Sequence, residues 1–225
     1  MVDSDSLTAE SMVIPLWKRT LLEAFGTGFL AFTVGRLSST EFNGFEQAVS
    51  IGLCLALLIH LLGRFSGAHF NPAVTLLLNH QRFGVKAFTT RAGLVEIGAY
   101  GSAQILGASI GLGFNPPGMA PDAVQLGGLT SELIFTVVLF ALILRWSNEG
   151  KICPVAQPMA GLVIGAGLSL LVLLGGLTQS GIYNPAMAIA FGLHGTDRVG
   201  LVIVDHMVAV GLLLLAEHFW RPSTE

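Results

Sequence analysis

Two Asn-Pro-Ala triplets carry the most specific chemistry in the chain. Asn71-Pro72-Ala73 sits in S-G-A-H-F-N-P-A-V from Ser66 to Val74, and Asn184-Pro185-Ala186 sits in S-G-I-Y-N-P-A-M from Ser180 to Met187. Asn is a strong N-cap, and Pro is tolerated at the first helical position because its missing N–H would be unpaired there anyway. Each triplet therefore opens a helix. The pattern predicts short ones, Pro72 to about His80 and Pro185 to about Leu193. Nine residues give roughly 13 Å at 1.5 Å per residue, so two set tip to tip reach about 27 Å, close to the ~30 Å hydrocarbon layer of a bilayer. Such a pair forms one composite span whose two positive ends and unpaired N–H groups meet at the middle. The amides of Asn71 and Asn184 add donors at that point, where a passing water accepts from both.

Other residues invite chemical readings. Glu23 and Glu132 lie in apolar runs. A carboxyl within a span costs about 2.5–3.5 kcal/mol on insertion scales, so both are expected to face inward toward partners. Their chemistry alone fits either a proton relay or fixed acceptors for loop N–H groups. His69 has the type of a pH sensor or of a packed, hydrogen-bonded vestibule residue. Asp205-His206 falls in the last apolar run, at the outer mouth or a subunit contact. Cys54 in a span and Cys153 in a polar connector fit neither a disulfide nor a metal motif. No nucleophile, metal cluster or phosphate loop supports an enzyme or a cofactor.

The elements that must position these residues are membrane elements. The chain of 225 residues is 52% hydrophobic and only 11% charged, with 28 glycines and a mean hydropathy of +0.72. Soluble domains carry about 25% charged residues, so this composition belongs in a membrane. The net charge of −3 and scattered basic residues give no sign of a nucleic-acid partner. Residues 1–16 read as a short cytoplasmic tail without the basic and apolar regions of a signal peptide. Spans are expected at about Trp17–Leu37, Gln47–Arg64 and Leu94–Leu112, then Gln125–Trp146, Pro158–Leu174 and Val199–Phe219. A loop rich in proline from Phe114 to Asp122 divides them, giving a first repeat at 17–112, a connecting loop at 113–124 and a second repeat at 125–220 within one domain. Three crossings per half put the halves in opposite orientations. With a cytoplasmic amino terminus, nine Lys or Arg lie inside and only Arg36 and Arg198 outside, a positive-inside bias. Gly107 with Gly111, and Gly161 with Gly165, are spaced to let helices approach closely, although glycine is frequent in membrane helices generally.

The paired triplets resemble the aquaporin family, the major intrinsic proteins. So do Glu23 in L-L-E-A-F-G-T, the string from Ser66 to Thr75, Ala99-Tyr100 with Ala103-Gln104, and Glu132 in S-E-L. The resemblance runs from about Trp17 to Trp220 and implies an all-α bundle of six transmembrane helices plus two half-helices, arranged as an inverted repeat. It implies a pore for water or small uncharged solutes such as glycerol or ammonia, closed to protons and ions, in a homotetramer in the plasma membrane. Aquaporin-type pores use half-helix dipole ends as their barrier to protons and cations. The resemblance also implies that Glu23 and Glu132 hold the half-helix loops, and that backbone carbonyls of Gly67 to Phe70 and Gly181 to Tyr183 line the lumen. By family spacing the outer constriction falls at Ile51, Val172, Gly181 and Met187. Typical members have arginine where Met187 stands, so this ring is expected to be apolar and loosely selective. Two other readings stay open: an aquaporin scaffold with an interaction role, and a proton-coupled transporter using the glutamates.

Overall fold

The computed structural model describes residues 14–38, 42–115, 129–147, 159–178, 181–193 and 199–220. The described residues form helices α1 (Leu16–Ser38), α2 (Gly44–Ser66), α3 (Pro72–Phe83), α4 (Lys86–Thr89), α5 (Arg91–Gly113), α6 (Leu129–Ser147), α7 (Ala160–Thr178), α8 (Pro185–Leu193) and α9 (Val199–Trp220). The fold is all-helical, with six long helices among those described. The expected amino-terminal tail up to Val13, Cys153, most of the dividing loop and Ser180 lie outside the described residues.

Local sequence explains the starts and stops. At α2 a full capping box forms, with Asn43 accepting from Phe45 and Glu46 N–H and Glu46 accepting from Asn43 N–H. Gly67 closes the helix in the left-handed conformation at φ 93°. The first half-helix is longer than the pattern predicts. It continues through Gln81-Arg82 to Phe83, 12 residues in all, before Gly84 ends it with an N–H donated to the His80 carbonyl. The second half-helix has nine residues.

Three described segments are long and apolar enough to cross a membrane by composition alone, Gly44–Ser66, Thr130–Ser147 and Val199–Glu217, with the shorter Ala160–Gly176 beside them. Helices α1 and α5, 23 residues each, have the length but fall short in hydropathy. They carry Arg19, Glu23, Glu96 and Gln104 and bury these against each other and the first loop.

The contact pattern has a twofold logic. Packing of α1 on α2 and α5 is matched by α6 on α7 and α9, and α3 on α5 by α8 on α9. The helices that cross between halves match too: α5 touches α8, α3 touches α9, and α2 lies along α7. Close approach depends on glycine. A Cβ at Gly107 would overlap the Ala24 carbonyl oxygen, and one at Gly165 would overlap that of Gly52. Large apolar side chains such as Phe25, Leu57, Leu106 and Leu215 remain outward and exposed, as expected where lipid rather than water is the solvent.

Candidate functional site

Both triplets work as helix caps. Asn71 Oδ1 accepts from Ala73 N at 2.9 Å and from Val74 N at 3.4 Å. Asn184 Oδ1 accepts from Ala186 N at 3.0 Å. Each residue just before the cap is non-glycine in the left-handed region, Phe70 at φ 48° and Tyr183 at φ 45°. That conformation costs of order 1–3 kcal/mol for a bulky residue and persists only where the surroundings hold it.

The holding groups come from the opposite half. Asn71 Nδ2 donates to the Tyr183 carbonyl at 2.8 Å, and Asn184 Nδ2 donates to the Phe70 carbonyl, also at 2.8 Å. Each cap thus locks the other half's strained residue. One hydrogen of each amide is committed to backbone, leaving the other for the lumen. The carbonyls of Phe70 and Tyr183 each spend one of two lone pairs on an internal donor.

Buried carboxylates brace both loops. Glu23 is fully buried and accepts four hydrogen bonds: Ser66 Oγ at 2.7 Å, His69 N at 3.0 Å, Phe70 N at 2.7 Å and Gln104 Nε2 at 2.8 Å. Glu132 accepts from Gly181 N at 2.7 Å and Tyr183 N at 2.9 Å. The His69 ring lies edge-on to Tyr100 with centroids 5.1 Å apart, and its Nδ1 is 3.2 Å from Thr75 Oγ1. Tyr100 in turn donates to the Ser66 carbonyl at 2.6 Å. Sequence reasoning pointed to Tyr100 and Gln104 only through the resemblance; their contacts with the first loop need the fold.

One cavity of about 1050 Å³ runs the length of the bundle. It touches Arg64, Arg82 and Trp146 at one end, both cap asparagines and His69 within, and Gly181, Gly176 and Ser38 at the other. Ile51, Val172, Gly181 and Met187 all line it. Ile51 and Met187 are buried, at 7% and 4% exposure. The remaining wall is largely aliphatic, including Leu30, Leu55, Leu78, Ile164 and Leu168.

The pair Asp205-His206 divides: His206 is fully buried on α9, its ring tilted against Phe140 of α6 at 5.9 Å between centroids, while Asp205 is half-buried. Cys54 is buried with its sulfur 3.5 Å from Thr33 Oγ1. No group of three or more His, Cys, Asp or Glu that could hold a metal occurs among the described residues.

A family model described as Major intrinsic protein matches residues 10–206. The chain belongs to that family. As a major intrinsic protein it is an integral membrane protein, and it is similar to several named members. It is 29% identical over 202 residues to Aquaporin NIP1-1 of Oryza sativa subsp. japonica, a match covering 82% of this chain and 66% of that protein. It is 30% identical over 210 residues to Nodulin-26 of Glycine max, covering 85% and 72%. The match to Aquaglyceroporin AqpS of Rhizobium meliloti (strain 1021) is 29% over 229 residues and covers 92% of both chains.

Proposed function

We propose that this major intrinsic protein is a passive conduit for water and small uncharged solutes such as glycerol or ammonia. The observation that carries the reading is a cavity lined from Gly44 to Arg64 of α2 and passing the paired tips of α3 and α8. Two half-helix N-termini aimed at one point, each with an amide hydrogen left for the lumen, orient a passing water and oppose protons and cations. The apolar ring of Ile51, Val172, Gly181 and Met187 is the constriction. Lacking a fixed cation, it admits solutes broader than water. Glu23, Glu132 and His69 hold the two loops. With four donors on Glu23, the carboxylates serve as scaffold, which speaks against a proton-coupled transporter.

The protein sits as a multi-pass homotetramer in the plasma membrane, one conduit per subunit, with both termini cytoplasmic. Names of relatives containing "aquaporin" and "aquaglyceroporin" support this solute class. The test is stopped-flow light scattering on proteoliposomes in water-exit and glycerol-entry experiments. Permeability well above empty vesicles without a pH gradient is expected. Rates equal to empty vesicles would favour a non-conducting scaffold, and uptake that requires a proton gradient would favour a transporter.

A further inference from the structure

The wall of the cavity is charged at one end only. Among its described lining residues there is no Asp or Glu, and the only Lys or Arg are Arg64 and Arg82 at the same end. Arg82 comes from the extra turn of α3, and three successive residues of that turn reach three different helices. His80 Nδ1 lies 3.3 Å from Glu217 Oε2 of α9, Gln81 Nε2 donates to the Leu144 carbonyl of α6 at 3.2 Å, and Arg82 lies 3.9 Å from Glu96 Oε1 of α5. A half-helix that ended at His80 would not carry this cation into the wall.

Its charge is only partly cancelled there. Glu96 Oε1 is already held at 2.8 Å by Arg19, which also reaches Oε2 at 3.4 Å. One carboxylate thus serves two guanidinium groups, and Arg82 has the longer contact and a half-exposed side chain. Arg64 takes part in no ion pair among the described residues. Its guanidinium lies 4.4 Å from the Phe65 ring, as that of Arg82 lies 5.0 Å from the Phe83 ring. An aromatic face holds a cation without neutralising it. Both arginines sit in the last turn of their helices, where each dipole end amounts to about half a negative charge, so the pair leaves roughly one positive charge in the wall. The Arg82 charge also reaches inward to act on the ring of His69.

We propose that Arg82 and Arg64 are specificity-determining residues that form a cation filter at this end of the cavity, separate from the paired tips of α3 and α8. A cleft whose walls carry one sign of charge thins out ions of that sign within it. Small cations are therefore depleted before they reach Asn71 and Asn184, while an uncharged solute meets only guanidinium donors. The filter's effect on permeation rests on the conduit reading, whereas the positive potential at the arginine end does not.

The first arm reads that potential whether or not any solute passes. With Cys54 and Cys153 replaced by serine, Ser147→Cys puts one thiol in the cavity wall at the arginine end. The rate of its modification by an anionic methanethiosulfonate, divided by the rate with a cationic one, should fall about tenfold when Arg64→Gln and Arg82→Gln are added, the low end of what a one-signed cleft does to local ion concentration. The pair Arg64→Lys and Arg82→Lys should keep the ratio. A ratio unchanged by the glutamines overturns the proposal. The second arm measures potassium leak in proteoliposomes with a potential-sensitive dye, relative to stopped-flow water permeability. The leak should rise about tenfold in the glutamine pair and stay at the wild-type level in the lysine pair. Equal leaks in all three proteins would overturn the filter and leave exclusion to the half-helix tips. An equal rise in both pairs would also overturn it, because packing rather than charge would then be at work. Wild-type water rates no higher than those of empty vesicles would remove the conduit and the filter together, with the thiol ratios still reporting the potential.

Discussion

Glu23→Gln tests how the first loop is held, because the cost can be counted atom by atom. Oε1 of Glu23 serves Ser66 Oγ and His69 N, and Oε2 serves Phe70 N and Gln104 Nε2. Whichever oxygen becomes nitrogen, one backbone donor, His69 N or Phe70 N, is stranded against a new amide hydrogen, whereas the Ser66 hydroxyl can turn to accept and the Gln104 amide can flip. At about 1–3 kcal/mol for a buried donor left unpaired, the substitution costs roughly 1–3 kcal/mol. Glu132 divides its load differently, with Oε2 on Gly181 N and Oε1 on Tyr183 N. Glu132→Gln also strands one backbone donor and should cost a similar amount. At about 2–4 °C per kcal/mol for a chain of this size, both midpoints should fall by on the order of 6 °C. Thermal unfolding of detergent-solubilised protein, followed by tryptophan fluorescence, reads both. An unchanged midpoint for either variant would refute this account of the loops.

Two further outcomes are expected. Met187→Arg places up to five donors and a cation in the lumen wall, and should lower glycerol flux relative to water flux about tenfold, the equivalent of ~1.4 kcal/mol in barrier height; an unchanged ratio in stopped-flow assays would mean that the narrowest ring lies elsewhere. Gly107→Leu drives a side chain into the Ala24 carbonyl and should destabilise by at least the ~1–3 kcal/mol typical of overpacking, whereas Gly98→Leu on the same helix meets open space and should leave the midpoint unchanged.

What the sequence discloses is what local chemistry dictates. The start of each half-helix is written in Asn-Pro, because cap and first turn involve only neighbours. Glu23 and Glu132 stand out because an acid among apolar residues demands an explanation. The extra turn of α3 does not show, since Gln81, Arg82 and Phe83 continue a helix without continuing an apolar pattern. The fate of the Phe70 and Tyr183 carbonyls is likewise invisible. It depends on left-handed backbone at non-glycine residues, sustained by donors 112 and 114 positions away. The spans at α1 and α5 are legible despite Arg19, Glu96 and Gln104, but the pairing of those side chains is not, because Arg19 meets Glu96 77 positions on and Gln104 meets Glu23 81 positions back. His206 could not be placed from its neighbours, because Phe140, whose ring it packs against, is 66 residues earlier in the chain.

The exchange between Asn71 and Tyr183, and between Asn184 and Phe70, makes each half incomplete by itself. A single unit of this kind would carry one donor and one acceptor with nothing to receive or supply them. Two copies meeting head to head would satisfy both, with no change to either unit's design. The present chain therefore has the bonding logic of a self-pairing dimer joined into one polypeptide, and joining frees each half to drift in its own direction, as the unequal bracing of its two turns already records.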